Sequence, residues 1–347
     1  MWRTACYTRS DASDIHRPTS IRETLRVHVL VTGGAGFIGS TTAAALVDAG
    51  HDVMVADDLS AGHRDAVPDG ASFVEVDVTD PERIGPVIAA SRFDACVHFA
   101  ALIEAGESMR TPERFFSTNT AGTARLLEVL HGHGVERFVL SSTAAVYGNP
   151  ERIPLEETDA LAPTNAYGES KLLVERMLAW FYHIHGTRVA ALRYFNAAGA
   201  TSGRGERHEP ESHLIPLLLQ VAAGHRSEIA IYGTDYPTPD GTAVRDYVHV
   251  ADLADAHVRA VEQLDVHGTL TCNLGNGSGF SVQQVVEVAR RVTGHAIPAV
   301  AAARRDGDPA ELVASSQRAR DLLGWQPQHT DLEGIVADAW SAMAGRG

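Results

Sequence analysis

Short apolar runs alternate with longer amphipathic stretches along most of this chain. The first run, residues 27–31, is rich in β-branched side chains and predicts a buried parallel strand. Amphipathic helices are predicted between the strands, as at 113–132 and 167–185, and another at 282–293. The alternation predicts an α/β fold with a doubly wound parallel (Rossmann) sheet. The further predicted strands are 52–56, 72–76, 95–99, 138–141 and 188–193.

A glycine-rich turn follows the first strand. The sequence TGGAGFIG, residues 32–39, leads into an alanine-rich helix that we predict over 40–49, with Gly50 as its C-cap. A strand, a glycine turn and a helix in this order aim backbone N–H groups and a positive helix end at a pyrophosphate. We therefore expect the turn to hold a dinucleotide. The residues concerned are Gly33, Gly36, Phe37, Ile38 and Gly39.

Two acids end the second predicted strand. Asp57 and Asp58 lie about 20 residues beyond the glycines, where a dinucleotide fold holds the adenosine ribose hydroxyls. A carboxylate at this place repels a 2′-phosphate, so the sequence favours NAD over NADP. Arg64 lies nearby and can offset that repulsion, which leaves NADP open.

A tyrosine and a lysine stand four residues apart in the helix predicted at 167–185. On a helix this spacing places Tyr167 and Lys171 on one face. A free tyrosine has a pKa of about 10, and a neighbouring cation lowers that pKa. The pair therefore predicts a proton acceptor for a sugar or alcohol hydroxyl.

Composition narrows the classes of partner and compartment. The net charge of −15 over 347 residues argues against a nucleic-acid surface and against anionic membranes. Cys6, Cys96 and Cys272 are isolated, with neither disulfide nor zinc spacing, so we expect a reducing compartment, the cytoplasm, and no metal site. Residues 1–26 lack a continuous apolar core and are interpreted as a disordered extension.

Ligands of a doubly wound sheet bind beyond the carboxyl ends of its strands. Residues 27–196 are therefore expected to form the NAD-binding Rossmann domain. From about residue 197 the pattern is less regular and richer in glycine and proline, which predicts a smaller domain, 197–343, that holds mainly the substrate, with 241–262 returning to the first domain. The candidates at strand ends are Asp77, Val78, Phe99, Ala100, Ala101, Ser141, Thr143, Tyr194, Phe195 and Asn196.

Four longer motifs accompany the glycine turn and the Tyr–Lys pair. They are SSTAAVYG at 141–148, RYFN at 193–196, DGTAVRDYVHVADL at 240–253 and NLG at 273–275. With these motifs the chain resembles the extended short-chain dehydrogenase/reductases, and among them the UDP-sugar 4-epimerases. The similarity runs from residue 27 to nearly the C-terminus.

The resemblance implies a role for each matching residue. Tyr167 is expected to be the base, Lys171 its cationic partner and a ligand of the nicotinamide ribose, and Thr143 the hydroxyl bound to the reacting sugar oxygen. The implied cofactor contacts add Asp57, Asp58, Asp77, Val78, Phe99, Ala100, Ala101, Asn119, Ser141, Tyr194 and Phe195 to the glycine turn. The implied contacts to the UDP group are Asn196, His213, Leu214, Arg245, Arg305 and Asp308. Arginines are also the donors that a diphosphate requires.

The implied enzyme is an isomerase that interconverts UDP-galactose and UDP-glucose through a transient 4-keto sugar, with bound NAD carrying the hydride. The resemblance also implies a homodimer formed through the helices predicted at 113–132 and 167–185, which have substantial apolar content. Two positions depart from the family pattern. Ile103 replaces a common lysine near the cofactor phosphates, and Leu312 occupies the position linked to acceptance of N-acetylated sugars.

Other functions remain open from the sequence. UDP-N-acetylglucosamine, UDP-glucuronate or UDP-xylose are alternative substrates of the same 4-epimerase chemistry. A 4,6-dehydratase is disfavoured because Ala144 and Ala145 stand where that enzyme has an Asp-Glu pair. A non-catalytic dinucleotide sensor is disfavoured by the presence of Thr143, Tyr167 and Lys171 together.

Overall fold

The computed structural model describes residues 26–201, 203–305 and 308–345, so the predictions on residues 1–25, Cys6 included, lie outside the described residues. The strands of the described chain are β1 (His28–Thr32), β2 (Asp52–Asp57), β3 (Ser72–Glu75), β4 (Ala95–His98), β5 (Arg137–Thr143), β6 (Arg188–Tyr194), β7 (Asn196–Ala198), β8 (Ala200–Thr201), β9 (Arg204–Gly205), β10 (Ile229–Tyr232), β11 (Val244–His249), β12 (Thr269–Leu274), β13 (Gly279–Ser281), β14 (Ala299–Ala302) and β15 (Glu311–Leu312).

The helices of the described chain are α1 (Phe37–Asp48), α2 (Pro81–Ser91), α3 (Ala105–Ser108), α4 (Pro112–Phe115), α5 (Thr123–Gly132), α6 (Ala166–His185), α7 (Leu214–Ala222), α8 (Val250–His267), α9 (Val282–Thr293), α10 (Gln317–Leu323) and α11 (Leu332–Ala344). Single 3₁₀ turns lie at Arg64–Ala66 and Ala144–Tyr147, and a π-helical segment lies at Phe116–Gly122.

The six predicted strands and β12 form one parallel sheet with the order β12-β6-β5-β4-β1-β2-β3. Helices cover both faces of the sheet: Val29 and Val31 point into one core with the apolar faces of α1 and α8, and Leu30 and Cys96 point into the other with α2, α5 and α6. Burial on both sides explains why these strands are continuous apolar runs. The predicted doubly wound parallel sheet is confirmed. Its order reverses between β1 and β4, which opens a crevice at the carboxyl ends of the strands.

The helix after β1 begins earlier than predicted. It starts at Phe37 rather than residue 40, with Gly36 as its N-cap, so the end of the glycine turn is already the first helical turn. Gly50 follows the C-cap Ala49 with φ +88°. The start was misplaced because glycines normally argue against helix, whereas here they permit close packing at the helix start.

The stretch predicted as one helix over 113–132 is three segments. Helix α4 leads into the π-helical segment, and α5 completes the run. Thr123 Oγ1 donates to the Asn119 carbonyl at 2.6 Å, and a Cβ on Gly122 would lie 2.6 Å from the Thr79 side chain. The extra residue of a π turn is a tertiary adjustment, common near functional sites, that hydrophobic periodicity does not report.

Helix α6 matches its prediction closely. The Asn165 side chain caps its N-terminus by accepting from the Gly168 amide at 2.8 Å. Gly186, at φ +72°, ends the helix in the left-handed conformation that glycine adopts without strain. A firmly capped helix fixes the register of its side chains against the sheet.

A second group of elements packs beside the carboxyl ends of the main sheet. Helices α7, α9 and α11 share an apolar core with β10 and β11. Strand β11 pairs with β7, which directly follows β6, and with β13 and β15. The chain then returns to the main sheet through α8 and β12, as far as Leu274, so the return ends later than the predicted residue 262. Strand β12 was not predicted to belong to the main sheet. Residues 269–274 are far in sequence from β6, the strand with which they pair.

Trp325 packs the segment after α10 into the core between α8 and the sheet. Its side chain is completely buried, and its indole N–H donates to the Asp252 carbonyl in α8 at 2.8 Å. We expect Trp325→Ala to lower the free energy of unfolding by about 3–5 kcal/mol, because it leaves a cavity and removes the buried hydrogen bond from the indole to the Asp252 carbonyl. Thermal and urea denaturation measure this. Val266→Ala, at a side chain that is 70% exposed, is the control, and equal stability of the two variants would contradict the assignment.

Candidate active site

The glycine turn and the end of β4 approach each other with no room for a side chain. Gly33 has φ +67°, and a Cβ there would lie 2.5 Å from the Ala100 backbone nitrogen. A Cβ on Gly39 would lie 2.2 Å from the Gly33 carbonyl oxygen. This cradle exposes backbone at the N-terminus of α1, beside Phe37 and Ile38, which is the arrangement that fits a pyrophosphate. The residues present therefore fit a dinucleotide.

The Asp57 side chain is hydrogen-bonded to the glycine-rich turn beside which it was predicted to bind the ribose. Its buried carboxylate accepts the backbone amides of Ala35 and Leu59, each at 2.9 Å. Burial raises the pKa of Asp57, while the two amides act to lower it. Asp58 is exposed and accepts from the Ser60 amide and hydroxyl. The ribose role predicted for these acids stays a prediction, and the carboxylate of Asp57 has a second task in shaping the turn.

Arg64, the residue that left NADP open, stacks on a neighbouring ring. Its guanidinium carbon lies 4.4 Å from the centre of the Phe73 ring. This cation–π contact occupies one face of the guanidinium and directs it along the surface of β3.

The remaining predicted cofactor residues lie along the same crevice. Asp77 accepts the amide and hydroxyl of Thr79, each at 2.8 Å, and Val78 is buried beside it. Phe99 and the small residues Ala100 and Ala101 continue from the end of β4. The Phe99 ring packs 4.7 Å from that of His257 on α8. The crevice floor is thus built from strand ends.

Asn119 joins three segments around the site. Its side-chain amide donates to the Leu102 carbonyl at 2.9 Å and to Ser170 Oγ at 3.0 Å, and its oxygen accepts from the Leu102 amide at 2.8 Å. The π-helical segment that carries Asn119 is therefore tied both to the loop after β4 and to α6. In this structure Asn119 holds the walls of the crevice together.

The predicted catalytic side chains meet where α6 packs on β5. Lys171, only 2% exposed, donates its ammonium to the Ser141 carbonyl at 3.0 Å. The Tyr167 phenol lies beside the Thr143 side chain at the end of β5, close enough for the Thr143 hydroxyl to lower its pKa against the effect of burial. The Ser141 hydroxyl in turn contacts the Tyr194 hydroxyl on β6. The structure thus places Thr143, Tyr167 and Lys171 in one contact region.

The structure shows no effect of Lys171 on the pKa of Tyr167, so the predicted lowering stays a prediction. Burial raises the pKa of Tyr167 to about 12; the Thr143 hydroxyl acts to lower it, and the Glu104 carboxylate acts to raise it. Burial lowers the pKa of Lys171 to about 8, against an opposing effect of the Glu175 carboxylate. The ammonium is directed at the Ser141 carbonyl instead of the phenol, so the helical spacing alone did not determine their interaction.

The residues expected at the UDP group lie on the second group of elements. Arg245 on β11 pairs with Asp308 and donates to the Val244 carbonyl at 2.7 Å. The Arg305 guanidinium stacks 4.1 Å from the centre of the Tyr232 ring. These contacts bring Arg245 and Asp308 together, whereas Arg305 is held through Tyr232.

Three further residues predicted to contact the UDP group are Asn196, His213 and Leu214. They lie where the second group of elements meets the main sheet. The Asn196 amide donates to the Asp246 carbonyl at 3.3 Å. His213 precedes Leu214, the first residue of α7, and its Nδ1 lies 2.8 Å from a Glu211 carboxylate oxygen. Burial acts to lower the pKa of His213, but Glu211 and neighbouring carboxylates raise it above its usual value.

Two charged pairs beside the site were not predicted. Glu175 on α6 and Arg193 on β6 form a buried ion pair with a shortest N···O distance of 2.6 Å. Glu104, after β4, pairs with His208 at 2.8 Å and thereby links the loop 203–213 to the Rossmann sheet. A sequence signal for Glu175 existed, because it continues the four-residue spacing of Tyr167 and Lys171.

Comparisons with known proteins agree with this geometry. Residues 29–275 match the NAD dependent epimerase/dehydratase family. A UDP-glucose 4-epimerase of Streptomyces lividans is 53% identical over 90% of this chain and 94% of its own length.

Solved structures extend the similarity to the fold. A Brucella ovis UDP-glucose 4-epimerase in complex with NAD is 44% identical, covers 91% of this chain and 98% of its own, and superposes with a TM-score of 0.88. A Bifidobacterium longum UDP-glucose 4-epimerase in complex with NAD+ and UDP has a TM-score of 0.88 at 35% identity, with 92% of this chain and 98% of its own covered. In the part of the chain that the structure describes, no helix combines the length and apolarity needed to span a membrane.

The close approach at Gly39 generates a prediction. Gly39→Ala places a methyl group against the Gly33 carbonyl and distorts the turn. We expect the purified variant to lose most of any dinucleotide that the unaltered protein retains, measured by absorbance of nucleotide released on denaturation. Gly85→Ala, inside α2 with its nearest neighbour at 4.0 Å, is the matched control. Unchanged nucleotide content in Gly39→Ala would show that the cradle does not bind it.

Proposed function

The chain belongs to the NAD dependent epimerase/dehydratase family, and we propose on that basis that it interconverts UDP-galactose and UDP-glucose by epimerisation at C4. The observation that carries the proposal is the placement of Thr143, Tyr167 and Lys171 together at the end of β5, at the carboxyl edge of the sheet that also bears the glycine cradle. The protein is an isomerase with NAD as its cofactor.

The cofactor is held by the cradle and by the crevice floor. Gly33, Gly36 and Gly39 would admit the pyrophosphate, and Asp57, which already accepts two amides of the turn, would accept hydrogen bonds from the ribose hydroxyls. When bound, NAD supplies the hydride acceptor and the positive charge that favours a phenolate nearby. A dinucleotide that gives back in every cycle the hydride it has taken would have no need to leave, so tight retention is consistent with the reaction.

The chain's own residues move the proton. Thr143 holds the 4-hydroxyl of the sugar beside Tyr167, whose phenolate accepts the proton from that hydroxyl. Lys171 fixes the end of β5 through the Ser141 carbonyl and so positions Thr143. Loss of hydride from C4 would give a planar 4-keto sugar, and return of that hydride to the opposite face, with the proton given back by Tyr167 to the 4-oxygen, would give the epimer.

The UDP group is anchored on the second group of elements while the sugar turns over. Arg245 and Arg305 are the donors for the diphosphate, and Asn196, His213, Leu214 and Asp308 complete the proposed UDP site. Strong holding at the diphosphate and few contacts to the sugar allow either face of the 4-keto sugar to meet the nicotinamide.

Substrate breadth depends on the wall of the sugar site. Leu312 packs with Phe195 against the cluster around Tyr147. Its branched side chain leaves intermediate room, so N-acetylated UDP-hexoses are the first alternative to test, followed by UDP-glucuronate and UDP-xylose. Ala144 and Ala145 lie in the 3₁₀ turn after Thr143, where no carboxylic acid is available for water elimination.

The test is a conversion assay with the purified protein and no added cofactor. We expect UDP-galactose to yield UDP-glucose, and Tyr167→Phe to lower turnover by roughly 10²–10⁴-fold, the usual contribution of general acid–base catalysis. Tyr182→Phe is the matched control, since that phenol is partly exposed on the far part of α6.

Parallel incubations with UDP-N-acetylgalactosamine, UDP-glucuronate and UDP-xylose decide among the alternatives. Conversion of one of these without conversion of UDP-galactose would replace the proposed substrate. Full activity of Tyr167→Phe would remove the tyrosine from the mechanism, and no conversion of any sugar with NAD retained would favour a dinucleotide sensor.

We also propose that the chain forms a homodimer through α6. Of the apolar side chains on the two predicted dimer helices, Phe115, Leu126, Leu127 and Leu172 are buried in the chain's own core, whereas Trp180 and Ile184 are each 64% exposed. These two lie four residues apart and therefore share a face of the helix.

A charge on this face tests the dimer. Ile184→Glu is expected to convert the protein from dimer to monomer in light scattering, because it places a carboxylate in an apolar contact. Val266→Glu, at an exposed position of α8, adds the same charge elsewhere and should leave the dimer intact. A monomer for the unaltered protein would contradict the proposal.

The division into an NAD-binding domain and a smaller UDP-sugar-binding domain remains a proposal, supported by the separate apolar core of α7, α9 and α11. A cytoplasmic location is likewise proposed. Its support is that Cys96 and Cys272 are free thiols, in keeping with a reducing compartment.

A further inference from the structure

Lys171 is the only lysine in the chain. All other members of the 29 lysine and arginine residues are arginines. Arginine stays charged at any physiological pH and presents a broad planar group, whereas the lysine ammonium is compact and readily changes its pKa on burial. A single lysine at the centre of the proposed site indicates that a small, titratable cation is required there.

Glu175 continues the face of α6 that carries Tyr167 and Lys171. The three residues are spaced by four and therefore follow one another along that face. Each of them contacts the end of β5. Tyr167 lies beside Thr143, Lys171 donates to the Ser141 carbonyl, and Glu175 accepts from the Ser142 hydroxyl. Helix and strand are thus joined by two hydrogen bonds from consecutive turns of α6, with Tyr167 in the turn before them.

Arg193 on β6 holds the Glu175 carboxylate from the opposite side. Its Nε and Nη2 donate to both carboxylate oxygens, and its Nη1 donates to the Tyr147 hydroxyl at 2.9 Å. The Tyr147 hydroxyl donates onward to Asn273 Oδ1 at 2.7 Å. Arg193 is also the register partner of Ser142 in the sheet. The carboxylate is therefore fully hydrogen-bonded and fixed in orientation although it is buried.

The groups around Lys171 differ in charge. On α6 it faces the Glu175 carboxylate, and on β4 it lies near His98, whose pKa is lowered to about 3 by burial and by Lys171. Both ring nitrogens of His98 contact threonine hydroxyls, so the ring is a neutral neighbour. From β6, Tyr194 approaches through Ser141, and Arg193 is paired with Glu175. Glu175 is the anion that acts on Lys171.

We propose that Glu175 is a positioning residue that holds Lys171 as an ammonium ion aimed at the end of β5. Glu175 acts directly, because its carboxylate is the anion one helical turn away from Lys171. It also acts through Ser142, whose hydroxyl it binds and which adjoins Ser141, the residue whose carbonyl accepts from Lys171. Arg193 orients the carboxylate by donating to both of its oxygens. The part of this inference that concerns turnover rests on the proposed function, whereas the state of Lys171 does not.

The single lysine makes the state of Lys171 directly measurable. Protein with bound cofactor, labelled with ¹³C and ¹⁵N in lysine only and carrying no lysine in any tag, gives one side-chain signal whose chemical shift is followed against pH. We expect Glu175→Gln to lower the pKa of Lys171 by about one pH unit, because the anion is removed and the Arg193 cation remains.

A matched control and a second variant exclude a merely structural effect. Glu169→Gln removes the same charge from α6 at a partly exposed carboxylate and should leave the pKa of Lys171 unchanged. If Glu175→Gln fails to fold because Arg193 is left unpaired, Glu175→Gln/Arg193→Gln removes both charges and keeps hydrogen-bonding groups. The double variant should also have a Lys171 pKa below that of the unaltered protein.

Turnover supplies an independent readout. If ammonium is the active form of Lys171, kcat falls as pH rises through its pKa, so this basic limb moves to lower pH in Glu175→Gln while KM for UDP-galactose changes less than about twofold. Glu175→Asp keeps the negative charge, so the basic limb of its kcat–pH profile should lie close to that of the unaltered protein. An unmoved Lys171 pKa in both folded glutamine variants would overturn the proposal, whether or not the enzyme epimerises UDP-galactose.

Discussion

An ammonium ion buried in a protein loses its hydration, and it persists there only where carbonyls and carboxylates replace the water. Lys171 is in this position between α6 and β5, with the Ser141 carbonyl as its hydrogen-bond acceptor and Glu175 as its neighbouring anion. These requirements set the distance and register of the helix against the strand. The placement of Tyr167 at Thr143 follows from the same packing.

A second constraint acts where the sheet order reverses. Between β1 and β4 the backbone of the glycine turn approaches that of Phe99 and Ala100 so closely that a side chain on Gly33 has no space. The crevice that results can admit a flat, extended ligand against bare backbone. Because β7 continues from β6 and pairs with β11, the strand that carries Arg245 is joined to the carboxyl edge of the main sheet. The glycine cradle and the residues proposed as base and as UDP anchors therefore adjoin one edge of the sheet.

Much of the fold followed from local physical rules. Continuous apolar runs become strands buried on both faces, and the Asn165 cap and the glycine after His185 bound α6 almost where periodicity predicts. The π-helical segment at Phe116–Gly122 was not predictable in this way. It exists because Asn119 must bond with the loop after β4 and with α6 at once, and both partners are remote in sequence.

The sequence by itself determined the parallel sheet, the glycine cradle and the residue types of the candidate site, since these depend on periodicity, conformational freedom and spacing within one element. Only the tertiary structure decided the protonation behaviour of that site. Desolvation raises the pKa of Tyr167 and lowers that of Lys171, and neither effect depends on their four-residue spacing. The carboxylate that opposes the loss of charge on Lys171 is fixed by Arg193 from another strand. Burial and contacts between strands arise only when the sheet is assembled, which is why the four-residue spacing places Tyr167 and Lys171 on one face but does not give the groups that surround them.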